Sequence, residues 1–218
     1  MFKSDEIYED KYIQKIYDGI EEYEKNDFAT HGRKHIYKVT KIIETILTKL
    51  NYSEDIIECG KIAALLHDLG CMQGKKEHEI RSYNIAKQYL KDKQLTKKQK
   101  EVILNAIINH RNVKEEMDIL ERALVVSDKL DYTKNRLTKE SLKIEGLSEL
   151  QYVNEIVIDI TENEFIVRFI TEKEFKKELL EKYYFTEKVF KAINSFSEYI
   201  NRKPVILIND IIWIFSIN

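Results

Sequence analysis

One proline and six glycines in 218 residues leave the backbone few places to break. A β-sandwich or barrel needs turn residues about every 8–12 positions. Their scarcity argues against a loop-rich all-β fold and for long helices. Apolar spacing agrees. Over residues 5–25, Ile7, Tyr8, Tyr12, Ile16, Ile20 and Tyr23 recur at helical intervals and predict a first helix. From Gly32 to Leu50 a second stripe contains Ile36, Val39, Ile43, Ile46, Leu47 and Leu50. Ser53 is the expected N-cap of a third helix, which passes Ile56, Ile57, Ile62, Leu65 and Leu66 to reach His67-Asp68, with Gly70 as its stop. Residues 78–91 predict a fourth helix. Thr96 and Gln99 fit a capping box for a fifth, ending near His110. A sixth is expected over 115–137, with Ile119, Leu120, Ala123, Leu124, Val126 and Leu130 inward.

After about residue 150 the apolar period shortens to that of a strand. EIVIDI places Ile156, Ile158 and Ile160 on one face, and FIVRFI places Phe165, Val167 and Phe169 on one face. The short link TENE predicts a hairpin. Thr171-Glu172-Lys173-Glu174 fits another capping box, opening a long helix to about Asn201. Pro204 ends that helix, and VILI is expected as a further strand. The expected fold is therefore mainly α. A helical domain covers 1–145, and a small β-hairpin plus long helix covers 150–218, with a soft boundary between.

Charge narrows the partners. With 36 basic and 38 acidic residues the net charge is −2, so no global basic excess points to nucleic acid. Cys59 and Cys71 are too few for a disulfide framework, and reduced cytosolic thiols are expected. The acidic N-terminus MFKSDEIYED has no apolar core, so no signal peptide is expected and a cytoplasmic location is. The apolar run VILINDIIWIFSIN is too short to span a membrane and is interrupted by Asn209 and Asp210, which leaves a core strand or an oligomer contact. That tail and the tyrosine-rich first helix are the grounds for expecting a homodimer.

The chemistry lies in the histidines. In order, the chain presents His31, His35, the doublet His67-Asp68, His78, His110 and then Asp128. Imidazoles and carboxylates are ligands of iron, manganese and zinc. His31 and His35 are four apart and share a face if both are helical. On a helix His67 and Asp68 diverge by about 100°, yet both reach an ion beside the helix end, and Asp68 has a second oxygen for a second ion. Asp128 closes the apolar run ALVVSD, and a buried carboxylate needs a cation or hydrogen-bond donors.

The order His35, His67-Asp68, Asp128 resembles the HD-domain superfamily of metal-dependent phosphohydrolases. HGRKHIYKV is similar to that family's first motif, AALLHDLG to the second and VVSDKLD to the last, so the resemblance covers roughly residues 28–137. HEIRSYNIA at His78 and AIINH at His110 resemble the added ligands of members that hold two metals. The resemblance implies an HD-type helical bundle with two divalent transition metals, iron or manganese first and zinc, cobalt or nickel next. His35, His67, Asp68 and Asp128 would hold one ion, and Asp68 would bridge to a second on His78 and His110. A metal-bound hydroxide would then attack the phosphorus of a small phosphate ester, a nucleotide or another small molecule. For that reaction, Asp68, His31 and Lys129 are the candidate catalytic residues, and Arg33, Arg111 and Arg136 the candidate substrate contacts, with Lys75 a further cation to neutralise charge on the equatorial oxygens.

Two departures shape the substrate. Many cyclic dinucleotide phosphodiesterases of this kind read HDIGK, whereas this chain reads HDLGC, with Cys71 in place of a phosphate-binding lysine, and no GYP tripeptide is present. Two rival readings share the ligand set: an HD-fold mixed-valent di-iron oxygenase, and a non-catalytic HD-like sensor or dimerisation module.

Overall fold

The structure is a computed structural model and describes residues 2–215. The end of the apolar tail, 216–218, and Met1 lie outside the described residues. Seven helices come first: α1 Asp5–Tyr8, α2 Lys11–Tyr23, α3 Arg33–Lys49, α4 Glu54–Leu66, α5 His78–Leu90, α6 Lys97–Asn109 and α7 Ile119–Leu130. They are followed by strands β1 Val153–Ile160 and β2 Glu164–Thr171, helices α8 Lys177–Leu180 and α9 Tyr184–Tyr199, and strands β3 Lys203–Ile208 and β4 Ile211–Ile212. This is a mainly α fold with a small C-terminal sheet. No helix among the described residues is long and apolar enough to cross a membrane.

Helix α4 is the centre of the bundle. Ile57, Ile62, Ala63, Ala64, Leu65 and Leu66 are all buried, and α3, α6 and α7 pack around it. Gly60 permits a close approach of α3, because a Cβ there would lie 2.7 Å from Leu47 Cδ1. Fully burying a side chain of the size of Ile43 or Leu65 contributes roughly 1.5–3 kcal/mol. Helix α6 opens with the expected Thr96–Gln99 capping box, and α4 follows Ser53 as its N-cap.

The sheet has the order β1-β2-β3-β4. β1 and β2 form the expected antiparallel hairpin, with Phe165, Val167 and Phe169 fully buried opposite Ile160, Ile158 and Ile156. β3 then pairs parallel to β2, reached by way of α9. Phe165 meets Phe196 of α9 with ring centroids 5.2 Å apart. α9 lies on α7 and β1 on α3, so the C-terminal segment and the bundle share one buried core.

Four local expectations are corrected. The first helix is two: Asp10 breaks it by accepting hydrogen bonds from the Tyr12 and Ile13 amides and so capping α2. The buried face of α2 is Ile13, Ile16, Tyr17 and Ile20, while Tyr12 and Tyr23 are exposed. The sixth helix is shorter at both ends, because Asp118 caps it in a box with Glu121 and Asp131 leaves helical geometry. Thr171 does not start a helix: it remains in β2, opposite Val153, and a loop separates it from α8. His67 and Asp68 are not on the helix body. His67 is the C-cap of α4 and Asp68 begins the tight 3-10 turn that follows.

Candidate metal centre

The turn after α4 is held firmly, which fixes Asp68. Gly70 donates its amide to Ser82 Oγ at 2.9 Å, and Arg81 donates to the carbonyls of Gly70 at 3.0 Å, Lys76 at 2.6 Å and Gly74. Arg81 and Ser82 lie on α5, whose first residue is His78, so the same bonds set His78 against Asp68. His35 comes from the first turn of α3, His110 from the C-cap of α6 and Asp128 from the last turn of α7.

Each of the four histidines spends Nδ1 outside the centre and turns Nε2 into it. Nδ1 of His67 donates to the Ala64 carbonyl at 2.7 Å, that of His78 to Lys75 at 2.9 Å and that of His110 to Ile107 at 2.6 Å. Nδ1 of His35 donates to Asp131 Oδ2 at 2.8 Å. A carbonyl only accepts, so the tautomer of three rings is fixed and Nε2 presents a lone pair whenever the ring is neutral.

Those lone pairs fall into two groups around one carboxylate. Asp68 Oδ2 lies 3.4 Å from His35 Nε2 and 3.2 Å from His67 Nε2, while Asp128 Oδ1 is 3.2 Å from His35 Nε2 and 4.0 Å from His67 Nε2. Asp68 Oδ1 faces the other way, 3.2 Å from His78 Nε2 and 3.4 Å from His110 Nε2. His78 Nε2 and His110 Nε2 are themselves 3.0 Å apart. Two atoms each about 2.1 Å from one ion sit about 3.0–3.4 Å apart at bond angles from square to tetrahedral. The spacings of both groups match that range, except for the wider His67–Asp128 pair.

Burial makes the same point. His35 Nε2, His67 Nε2 and both oxygens of Asp68 are buried and have no hydrogen-bond partner. Nearly all buried polar atoms are partnered. With both Nδ1 protons committed to carbonyls, His78 Nε2 and His110 Nε2 face each other across 3.0 Å, a contact that needs either a shared proton or a cation between them. The residues fit divalent cations. Electrostatics favours positive charge here: burial and Arg136 push His35 down, yet Asp128, Asp131 and Asp68 outweigh them and raise it to about 10. Burial pushes Asp68 and Asp128 up, but His67 and His110 hold Asp68, and Lys129 and His35 hold Asp128, well below the usual carboxylate range.

The other residues singled out in the sequence divide. His31 is at the centre but not helical, so it does not share a helix face with His35; its ring centroid is 5.8 Å from that of His35 and 6.4 Å from that of His78. Its Nδ1 meets Glu24 Oε1 at 2.6 Å, and its Nε2 meets the Arg136 guanidinium at 3.4 Å. Burial, with Arg136, holds His31 well below its ordinary value. Lys129 is buried, with Nζ 2.5 Å from Asp128 Oδ2. Arg111 is at the rim, half exposed and paired with Glu79 at 3.0 Å. Arg33 is not brought to the centre: Gln14, Asp18 and Glu21 of α2 occupy its guanidinium. Lys75 pairs with Asp27 at 3.0 Å. Cys71 is a buried free thiol beside Asp68 and His31. Asp131 and Glu24 were not anticipated from the residues alone. The three-residue spacing from Asp128 marks Asp131, and nothing in the local sequence marks Glu24.

The family model of the HD domain matches residues 32–133, the segment that carries His35, the doublet, His78, His110 and Asp128. Over that segment the chain is similar to the HD domain. An uncharacterized protein from Clostridium beijerinckii is 31% identical over 94 residues, covering 41% of this chain. The chain spans 58% of that relative's length. A crystal structure of a predicted HD superfamily hydrolase from an uncultured Thermotogales bacterium aligns with 61% of this chain and 82% of that chain, at 20% identity and a TM-score of 0.44.

Proposed function

We propose that this chain is a metal-dependent phosphohydrolase that cleaves a small phosphate ester, of a nucleotide or another small molecule. The observation that carries the reading is the division of Asp68, with one oxygen toward His35 and His67 and the other toward His78 and His110. In this reading His35, His67, Asp68 and Asp128 hold one divalent cation, and Asp68, His78 and His110 hold a second. When bound, such a pair lowers the pKa of a water toward neutrality and draws charge from phosphoryl oxygens.

The rest is done by the chain. The Nδ1–H bonds of the four histidines keep their rings from turning, so the donors are oriented before any ion arrives. Arg136, anchored through His31 and Glu24, offers a positive group for equatorial phosphoryl oxygens, and its Nη1 is buried without a partner. Lys129 offsets the charge of Asp128 and supplies a second positive group. Burial of the donors excludes bulk water. These cations favour phosphate chemistry over the oxygenase that the same donors would suit.

The test is an assay of full-length protein loaded separately with manganese, iron, cobalt, nickel and zinc, on generic phosphatase substrates, with oxygen uptake followed in parallel. Phosphate release that needs metal and Asp68 is the expected result. Oxygen consumption without phosphate release would replace the reading with the oxygenase. Absence of bound metal and of both activities would make the chain a non-catalytic module.

A further inference from the structure

A pocket of about 230 Å³ is lined in part by Lys129, whose Nζ pairs with Asp128. Arg111, Lys129, Lys188 and Lys191 line it, and no carboxylate does. Two distant parts of the chain meet there. Arg111 and Lys129 come from the bundle, Lys188 and Lys191 from α9. Three of the cations are matched from outside the pocket: Arg111 by Glu79 at 3.0 Å, Lys129 by Asp128 at 2.5 Å and Lys191 by Glu187.

Lys188 differs. Among the described residues it has no acidic partner, and its ammonium lies over the face of the Tyr184 ring, 5.8 Å from the centroid. Burial first, then Lys129 and Arg111, lower its proton affinity. A lysine held beside like charges gains when an anion joins it. The volume is below the roughly 300–1,000 Å³ of pockets for drug-sized ligands, so the space suits a compact anion rather than a nucleobase.

We propose that this pocket is an anion subsite for a second phosphoryl group of the substrate, with Lys188 as its principal contact. The proposal rests on the phosphohydrolase reading and narrows it: the substrate carries two or more phosphoryl groups, as a phosphoanhydride or bisphosphate does. Lys129 joins the subsite to the centre, since it lines the pocket while its Nζ lies 2.5 Å from Asp128 and 3.5 Å from the His110 carbonyl. The C-terminal segment thereby contributes substrate choice to a centre whose donors all come from the bundle.

The experiment compares methylenediphosphonate, which cannot be hydrolysed, with methylphosphonate. Each is titrated calorimetrically into full-length, manganese-loaded protein at low ionic strength. Loss of one charge-assisted contact in Lys188→Ala should weaken methylenediphosphonate binding about tenfold and change methylphosphonate binding less than about twofold. Lys188→Arg should restore most of the difference. Lys188 is exposed, so the variants should melt as the parent does. Equal weakening of both ligands, no weakening of either, or no binding of the diphosphonate overturns the subsite. Neither ligand turns over, so these results are independent of the hydrolysis assay. A protein that binds diphosphonate through Lys188 yet cleaves no ester loses the catalytic reading alone, and one that cleaves esters with no role for Lys188 loses the subsite alone.

Discussion

Asp131 Oδ2 accepts the Nδ1 proton of His35 at 2.8 Å, and both residues are almost completely buried. The carboxylate lies behind the ring, on the side away from Asp68. It raises the basicity of Nε2 and fixes the ring plane without being a donor to the centre itself.

Removing Asp131 should therefore weaken metal binding while leaving every proposed ligand in place. Asp131→Asn keeps an acceptor and loses the charge, and Asp131→Ala loses both. Manganese affinity by equilibrium dialysis should fall by about 10–100-fold, more in the alanine variant. Unchanged affinity in both would show that His35 needs no support.

Asp68 and His110 distinguish a shared ligand from a single one. Asp68→Ala is expected to abolish binding at both positions and reduce hydrolysis by roughly 100-fold or more. Its helical circular dichroism should stay close to that of the parent, because Asp68 lies outside α4. His110→Ala should remove one position and retain the other. Mass analysis of bound metal separates these outcomes, and full occupancy in Asp68→Ala would refute the bridge.

Gly70 is packed where a side chain has no room. A Cβ there would run into the His78 carbonyl oxygen and come within 2.8 Å of the Ser82 amide nitrogen. Gly70→Ala should cost about 1–3 kcal/mol, read from urea unfolding, and push the start of α5 outward. Binding at the His78–His110 position should suffer more than at the His35–His67 position. Equal losses at the two would mean that the turn does not set His78.

Glu24 gives the fold a dependence on pH. Burial raises its carboxyl from 4.5 to about 7. Between these values the folded chain binds more protons than the unfolded chain, so stability falls as pH rises through this window and levels off above it. Glu24→Gln keeps an oxygen for His31 Nδ1 and removes the titration. Relative to the parent, it should gain on the order of 1–3 kcal/mol between pH 4.5 and pH 8. Parallel pH profiles of the urea midpoints would contradict this.

Much of the centre can be read from the chain because its residue types are rare. With five histidines in 218 residues, the positions of His35, His67, His78 and His110 carry information, and all four converge. The 38 acidic residues do not stand out in that way. Glu24 is separated from solvated carboxylates only by burial, which depends on tertiary packing, and Asp131 has only its spacing from Asp128 to mark it. Helix α2 shows another limit. Tyr8 and Tyr12 keep helical spacing across the break at Asp10, so periodicity does not reveal the cap. Thr171 shows a third: TEKE spells a helix start, but pairing with Val153 in the sheet prevails over the local signal. The parallel pairing of β3 with β2 is set by contacts between residues about 40 positions apart, and no local pattern encodes it.

That parallel pair has a mechanical consequence. A chain that must lie alongside β2 in the same direction has to travel back first, and α9 is its return path. β3 follows α9 closely and β2 precedes it through a loop and α8, so the ladder limits how far α9 can slide along α7. Lys188 and Asp128 are thus kept in register by backbone bonds of residues that touch neither, and the sheet acts as a ruler for chemistry carried out elsewhere.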